Sequence, residues 1–257
     1  MRQLIYDPAK LGSRMTIVCF VSGSGTNYDQ IVARDPNHDY IVFTNRPDCG
    51  GAKKARENKH ELIGLSHIPY LRDARNRYGT KSLPRNCLER TKYEQDAWSL
   101  IEKKIKREPD LICLAGYDQW ITDWMVDRYY PRILNVHPGD TTKGYDGLHW
   151  IPTAKAILAG DKEIRATVFL VDKGEDTGPV LVQSRPLNTM QTLGALEASR
   201  TKGLSEEVHR VIDFAQRLAI TSYDSFEKVA GVAEKEIMKR VCENLQEALK
   251  IAGDWVI

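Results

Sequence analysis

The sequence has little of what several classes of protein require. Its five cysteines are scattered without any C-x-x-C pair, which gives no zinc signature and favours a reducing compartment. No run approaches the roughly 18 apolar residues needed to span a bilayer. The N-terminus also has no apolar core followed by a cleavage site. We therefore expect a cytoplasmic protein without a membrane partner or a metal site.

A strong charge of one sign is also missing, because the net charge of the 257 residues is +2. A nucleic-acid-binding protein would be expected to show a basic bias or a basic stripe, so no nucleic-acid partner is expected. What the chain does contain is 42% apolar and 28% charged residues, as in soluble globular proteins. Its length allows a substantial core in one domain, or in one domain with an appendage.

Apolar β-branched runs alternate with segments of helical periodicity through the first two thirds of the chain. This alternation predicts βαβ units and a largely parallel sheet, an α/β fold. The polar stretch 66–86, with Pro69, Gly79 and Pro84, predicts a long loop or insertion. Strands are predicted at 15–21, 40–44, 61–65, 111–115, 165–172 and 179–184, and helices at 52–58, 88–107 and 152–159.

The domain organisation follows from the same patterns. Residues 1–14 precede the first strong strand and are predicted to form an N-terminal arm. Residues 15–192 are predicted to form the α/β domain, with residues 193–257 as a helical C-terminal extension packed on it. The extension could serve as a lid, a dimer arm or a partner surface, which leaves a homodimer open.

A glycine-rich turn follows the first predicted strand. Its sequence is Ser22-Gly23-Ser24-Gly25-Thr26-Asn27, and a helical pattern starts there. Backbone N–H groups at such a helix start attract an anion, usually phosphate. Tyr28 occupies the place of the third glycine of a dinucleotide fingerprint, and the lysine of a Walker A loop is missing, so neither NAD nor ATP is supported. A plain strand-to-helix turn is the alternative.

Three polar residues lie where predicted strands end. Asn135 and His137 follow the apolar pair 133–134, and Asp176 follows the strand at 165–172. Side chains at strand ends of an α/β sheet face the crevice that binds ligands. During attack of an amine on a formyl carbon, Asn135 and a protonated His137 could stabilise the oxyanion, while Asp176 orients the imidazole or relays a proton. Alternatively, Asn135 caps its loop, His137 is a structural side chain and Asp176 shapes a turn.

The chain resembles the folate-dependent formyltransferase superfamily and, within it, the phosphoribosylglycinamide (GAR) formyltransferases of purine biosynthesis. The resemblance implies a Rossmann-type, mostly parallel twisted sheet flanked by helices, with 15–192 as the catalytic domain. The matching motifs, in the order of the family, are Ser-Gly-Ser-Gly-Thr-Asn (22–27), Thr-Asn-Arg (44–46), Leu-Ala-Gly-Tyr (114–117), Asn-Val-His-Pro (135–138), Gly-Leu-His (147–149) and Val-Asp-Lys-Gly-Glu-Asp-Thr-Gly-Pro-Val-Leu-Val-Gln (171–183).

The resemblance also assigns roles to residues. It implies transfer of a formyl group from 10-formyltetrahydrofolate, the co-substrate, to the amine of GAR, a small phosphorylated molecule. By match to the family motifs, the catalytic residues are Asn135, His137 and Asp176, and the phosphate-binding residues are Gly25, Thr26 and Asn27. The implied contacts to the folate come from Tyr117, Asp118, Gln119, Trp120 and Ile121.

Two segments depart from the family pattern. Gly139-Asp140-Thr141-Thr142 stands where the family usually has Ser-Leu-Leu-Pro, and Asp118-Gln119-Trp120-Ile121 stands where Met-Arg-Ile-Leu is common. The first change leaves the acceptor open, and an amino-sugar nucleotide is an alternative to GAR. Hydrolysis of formyltetrahydrofolate by water is a second alternative. A folate- or nucleotide-binding module without turnover is a third.

Overall fold

The computed structural model describes residues 14–80, 82–200, 202–220 and 222–252. The predicted N-terminal arm, residues 1–14, lies outside these ranges except for Arg14, as do residues 253–257 of the predicted C-terminal extension. Within the described ranges, no helix is long and apolar enough to cross a membrane.

Among the described residues, seven strands form one mostly parallel sheet, and two short strands pair separately. In chain order the strands are β1 (Thr16–Val21), β2 (Asp39–Thr44), β3 (Glu61–Gly64), β4 (Leu111–Leu114), β5 (Ile133–His137), β6 (Glu163–Ile164), β7 (Thr167–Leu170), β8 (Val180–Gln183) and β9 (Leu187–Asn188). The large sheet has the order β3-β2-β1-β4-β5-β7-β8, and β6 pairs antiparallel with β9. The neighbours from β3 to β5 are parallel, which confirms the predicted α/β fold.

The strands β7 and β8 run in opposite directions. The amide of Leu170 donates to the carbonyl of Pro179, and the amide of Ser184 donates to the carbonyl of Ala166, each at 3.0 Å. Residue numbers that rise on one strand while they fall on its neighbour define an antiparallel pair. The predicted strands 165–172 and 179–184 are therefore present, although the structure shortens both.

Ten helices are present in the described part of the chain. They are α1 (Thr26–Arg34), α2 (Gly50–Glu57), α3 (Ile68–Tyr78), α4 (Leu88–Glu102), α5 (Asp123–Tyr129), α6 (Ile151–Leu158), α7 (Thr189–Ser199), α8 (Leu204–Arg217), α9 (Tyr223–Val229) and α10 (Val232–Ala252). The predicted helices at 52–58, 88–107 and 152–159 correspond to α2, α4 and α6. The predicted helical character from residue 193 onward is confirmed by α7 to α10.

The contacts divide the described chain into two compact units, 14–136 with 169–179 and 137–168 with 180–252. In the first unit, side chains alternate between the two faces of each strand. Val18 and Phe20 of β1 pack with α4 and α5 on one face, and Ile17 and Cys19 pack with α1 and α2 on the other. Each large side chain buried in this way contributes about 1.5–3 kcal/mol.

The second unit is mostly helical. In it α10 contacts α6, α7 and α8, with Val241, Cys242 and Leu245 fully buried. The side-chain amide of Gln246 on α10 donates to the carbonyl of His149, at 2.7 Å. The predicted division into 15–192 and 193–257 stays a prediction.

The structure corrects the prediction for residues 66–86. The segment contains α3, with Pro69 in the first turn and Gly79 as a left-handed C-cap. Proline is well suited to a first turn because its missing N–H has no helical partner there. Glycine is the usual residue just after a helix. Two of the three residues that suggested a loop, Pro69 and Gly79, therefore mark the start and the end of a helix.

Candidate active site

The glycine turn, residues 22–27, connects β1 to α1 through direct backbone packing. Gly25 has φ 72° and precedes the first residue of α1. A Cβ on Gly25 would lie 2.3 Å from the Cα of Gly51, at the start of α2. The amide of Gly51 donates to the carbonyl of Gly23, at 3.0 Å. Gly25 is therefore required both by its left-handed backbone and by the close approach of α2.

Asn27, in the first turn of α1, carries an unusual polar atom. Its Oδ1 is buried and has no hydrogen-bond partner among the described residues. An unpaired buried polar atom is costly, so such atoms are concentrated at positions that meet a ligand or water. A side-chain amide can also rotate to present its NH₂ group instead. The glycine turn thus has the features of an anion-binding position.

Behind the glycine turn, three side chains form a closed ring of hydrogen bonds. The Ser22 hydroxyl donates to Oδ1 of Asn45 at 2.7 Å, and Nδ2 of Asn45 donates to Oδ1 of Asp118 at 2.7 Å. The amide of Asp118 donates back to the Ser22 hydroxyl at 2.9 Å. These residues follow β1, β2 and β4, so the ring links three strand ends. The Arg46 guanidinium pairs with the outer oxygen of Asp118.

Two titratable groups lie in or beside this ring, the carboxyl of Asp118 and the imidazole of His67. Burial raises the pKa of Asp118, but hydrogen bonds from Gln119, Asn45 and Ser22 outweigh it, so the pKa lies below its ordinary value. Nδ1 of His67 lies 3.2 Å from Nδ2 of Asn45. Burial holds the pKa of His67 below its ordinary value. The ring therefore contains the carboxylate of Asp118, and the imidazole of His67, whose pKa is depressed, contacts the ring from outside.

The five predicted folate contacts have different surroundings. The Tyr117 ring packs edge-on against Phe20, at 5.1 Å between centroids, and Ile121 is 5% exposed in the same apolar core. The Asp118 carboxylate is committed to the ring described above, and Nε2 of Gln119 donates to it at 2.9 Å. Trp120 is 36% exposed. Trp120 is thus the side chain of this segment that lies at the surface without entering the core or the ring.

The loop 171–179, called the Asp176 loop below, connects β7 to β8. Oδ1 of Asp172 accepts hydrogen bonds from the amide of Gly174 and the hydroxyl of Thr177, each at 2.9 Å. Asp176 has φ 52°, in the left-handed region that few non-glycine residues adopt. This conformation is unfavourable for a residue with a side chain. The surrounding structure must therefore hold the backbone of Asp176, a predicted catalytic residue.

The predicted catalytic pair on β5 is two residues apart, so both side chains point to the same side of the strand. Asn135 is opposite Leu114 in the register of β4 and β5. His137 is 4% exposed, and its Nε2 lies 2.7 Å from the carbonyl oxygen of Tyr145. A carbonyl can only accept, so Nε2 carries the proton of this hydrogen bond.

The loop after β5 is fixed by its own side chains. The Tyr145 hydroxyl donates to Oδ2 of Asp161 at 3.0 Å, and Nζ of Lys143 donates to the same oxygen at 2.7 Å. A Cβ on Gly139 would lie 2.7 Å from the Tyr145 carbonyl oxygen. The loop that departs from the family pattern at 139–142 therefore brings the carbonyl of Tyr145 to the imidazole of His137.

The two units share the predicted site residues unequally. The first contains Asn135, Asp176, the glycine turn and the segment 117–121, and the second begins with His137. That Asn135, His137 and Asp176 meet around one carbon stays a prediction. Sequence reasoning missed the contact of His67 with Asn45, described above, and the contacts of Arg85, described below. The motif Thr-Asn-Arg (44–46) did point to Asn45, and nothing in the sequence pointed to Arg85.

A mostly parallel sheet with polar side chains after β1, β2, β4 and β5 defines an α/β protein with its ligand crevice at the carboxyl ends of the strands. The sequence profile of the formyl transferase family matches residues 15–211. The chain belongs to this family, which confirms the predicted formyltransferase fold and enzyme class.

Individual relatives agree with the family match. Phosphoribosylglycinamide formyltransferase of Bacillus subtilis is 30% identical over 164 residues, which cover 64% of this chain and 75% of that protein. The trifunctional purine biosynthetic protein adenosine-3 of Chironomus tentans is 27% identical over 194 residues, which cover 74% of this chain and 12% of that longer protein. The crystal structure of phosphoribosylglycinamide formyltransferase from Streptococcus pneumoniae has a TM-score of 0.54 at 25% identity, covering 80% of this chain and 99% of that one.

Proposed function

We propose that this protein transfers the formyl group of 10-formyltetrahydrofolate to the amine of GAR. The observation that carries the proposal is the family match, which runs through the glycine turn, Asn135, His137 and the Asp176 loop. Relatives named as phosphoribosylglycinamide formyltransferases support GAR as the acceptor. The proposal includes the catalytic roles of Asn135, His137 and Asp176.

The glycine turn supports a phosphorylated acceptor. The amides at the start of α1 have no helical partners, and the helix dipole adds partial positive charge there. Thr26 is half-buried and supplies a hydroxyl within 3.4 Å of the Ser24 hydroxyl. Because Oδ1 of Asn27 has no partner among the described residues, its side-chain amide can turn so that the NH₂ group donates to the phosphate. We assign the phosphate of GAR to the amides of Gly25, Thr26 and Asn27.

The folate is assigned to the segment 117–121 in a restricted way. Asp118 and Gln119 hydrogen-bond to each other and to the ring behind the glycine turn, so their side chains are already committed. Tyr117 and Ile121 belong to the apolar core. We therefore propose that the pterin contacts the backbone of this segment and the ring of Trp120, since an exposed aromatic face favours stacking.

In the proposed reaction the GAR amine attacks the formyl carbon and forms a carbon–nitrogen bond. The carbonyl electron pair moves to oxygen, where the Asn135 carboxamide and a protonated Nδ1 of His137 donate hydrogen bonds. The amine proton passes to Asp176 and from there, directly or through a water, to N10 of the folate, so that N10 can leave as a neutral amine. The electron pair on the oxyanion then re-forms the carbonyl. The bond from N10 to the formyl carbon then breaks, which releases tetrahydrofolate and formyl-GAR. The loss of one oxyanion donor typically costs about 10²–10³ in turnover.

The proposed function is tested by incubating the protein with 10-formyltetrahydrofolate and GAR, and identifying both products by mass spectrometry. We expect formyl-GAR and tetrahydrofolate in equal amounts, with little formate when GAR is omitted. Formate release at the same rate with and without GAR would show a hydrolase instead. Formylation of an amino-sugar nucleotide, but not of GAR, would replace the acceptor. Tight binding of donor and acceptor without any product would show a binding module.

A further inference from the structure

We propose that Arg85, in the segment between α3 and α4, is a positioning residue that holds the Asp176 loop against the predicted folate segment. The inference rests on the proposed function, because it assigns Arg85 to the support of Asp176 during formyl transfer. The sequence gives no hint of it, since every hydrogen-bond acceptor of Arg85 that the structure describes is a backbone carbonyl.

The guanidinium of Arg85 uses all three of its nitrogens on carbonyl oxygens. Nε donates to Ile121 at 2.6 Å. One terminal nitrogen donates to the carbonyls of Lys173 and, at 3.2 Å, Gly174. The other donates to the carbonyl of Asp172 at 2.9 Å. Because every nitrogen has at least one carbonyl partner, we assign Arg85 the role of holding backbone.

The three carbonyls from 172–174 end two residues before the left-handed Asp176. Carbonyl groups that converge on one point repel each other, and a guanidinium between them turns that repulsion into attraction. On the other side of this turn, Oδ1 of Asp172 binds Gly174 and Thr177 within the loop. The charge of Arg85 and that of Asp172 therefore fix the same turn from two directions, which limits where the Asp176 carboxylate can lie.

The residues on both sides of Arg85 are held in place, by apolar packing before it and by a hydrogen bond after it. Leu83, two residues earlier, is 4% exposed and packs with Leu71 of α3 and with Cys87. Asn86, the next residue, accepts a hydrogen bond from the amide of Asp123 at 2.9 Å. The side chain of Arg85 is only 15% exposed, and its terminal nitrogen lies 3.8 Å from the Asp123 carboxylate. The segment that suggested an insertion in the sequence thus presents the partly buried guanidinium of Arg85.

The folate side of the contact is fixed as well. Ile121, whose carbonyl binds Arg85, is followed by Thr122, and the amide of Thr122 donates to Oε1 of the buried Glu94 at 2.9 Å. Arg85 therefore joins two segments that the proposed function uses at the same time, one for the donor and one for proton transfer. A shift of about 1 Å in such a group can cost roughly 100-fold in rate.

The test compares Arg85→Ala and Arg85→Lys with Arg77→Ala. Arg77 is the control because it lies in the preceding helix α3, is 62% exposed and pairs with the carboxylate of Glu89 instead of with backbone carbonyls. Hydrogen–deuterium exchange of the peptide that spans 172–178 is measured beside kcat and KM for both substrates. For Arg85→Ala we expect exchange and kcat to change by about tenfold or more, with a smaller change in the KM of GAR. Arg85→Lys should be intermediate, since a lysine cannot reproduce the planar fork.

A second readout separates positioning from general damage. Low millimolar guanidinium added to Arg85→Ala should restore part of kcat and slow the exchange of 172–178, and it should leave Arg77→Ala unchanged. If Arg85→Ala does not fold, Arg85→Lys provides the same comparison. Exchange in the folded Arg85 variant that equals wild type would overturn the inference, as would faster exchange with unchanged kcat. If wild type has no activity with GAR but Arg85→Ala exchanges faster, the proposed function fails and only the clamp on the loop is supported.

Discussion

The glycine turn and the Asp176 loop solve the same problem in different ways. Both are loops of the first unit that keep polar groups in place at the carboxyl end of a strand. In the glycine turn, Gly25 has no side chain, and α2 packs into the space that a side chain would occupy. The Asp176 loop is instead held by hydrogen bonds to two side chains, the carboxylate of Asp172 and the guanidinium of Arg85. The first arrangement depends on backbone packing, and the second depends on Arg85, which lies 87 positions before Asp172 in the sequence.

The largest effect is expected at the glycine turn. Gly25→Ala puts a Cβ 2.3 Å from the Cα of Gly51 and requires a side chain at φ 72°. We expect a loss of about 3–4 kcal/mol from overpacking and the left-handed backbone together. Gly79→Ala is the control, because Gly79 has φ 62° and open space around it. It should lose only about 1 kcal/mol. Equal losses in urea unfolding would show that packing against α2 is unimportant.

The second effect concerns Glu94, which supports the residue after Ile121. Burial raises the pKa of Glu94 to about 7, although hydrogen bonds from Thr122 oppose this. The folded state then binds more protons than the unfolded state between about pH 4.5 and 7, so this carboxyl makes the protein less stable as pH rises through that range. The total is on the order of 3 kcal/mol.

Glu94→Gln removes the charge and keeps an acceptor for the amide of Thr122. We expect its free energy of unfolding to exceed that of wild type at pH 8 and to approach it at pH 4.5. The check is a series of urea unfolding curves from pH 4.5 to 8. A variant that tracks wild type at every pH would show that Glu94 is not a buried charge.

A smaller effect is expected inside the Asp176 loop. Asp172→Ala removes the acceptor of two hydrogen bonds, from Gly174 and Thr177. Because the residue is only half-buried, we expect a local loss of about 1.5 kcal/mol. That loss corresponds to about tenfold faster exchange of the loop amides. Asp172→Asn retains one acceptor oxygen and should change the exchange less. An unchanged exchange rate in Asp172→Ala would mean that Arg85 alone holds the loop.

The smallest effect is expected behind the glycine turn. Asp118→Asn keeps the shape of the side chain and removes the charge that pairs with Arg46. Because the pKa of Asp118 is depressed in the folded state, its carboxylate stabilises the protein above the pKa of the unfolded chain. That stability is lost as pH falls through the folded pKa. We expect a loss of about 1 kcal/mol at pH 7 that becomes smaller as the pH falls through the folded pKa. A pH-independent loss would indicate that shape, not charge, matters.

The difference between the two loops also explains what the sequence could predict. The strand before the glycine turn is a continuous apolar run, and the glycines of the turn can be read directly from the sequence. Asn45 was visible as part of a short motif. Arg85 was not, because backbone carbonyls carry no sequence information and the acceptors lie 36 to 89 residues away. Helix α5 was missed as well. Its seven residues bury Met125, Val126 and Tyr129, but it is too short to show a helical period.

The central claim is that His137 and Asp176 act together on one formyl group. The most direct measurement is single-turnover formation of formyl-GAR by His137→Ala, Asp176→Ala and the double variant. Groups that act as a unit are not additive. We therefore predict that each single change lowers the rate by about 10²–10³ or more and that the double change is little worse than the worse single one. Undiminished turnover in either single variant, or losses that simply multiply in the double variant, would contradict the account.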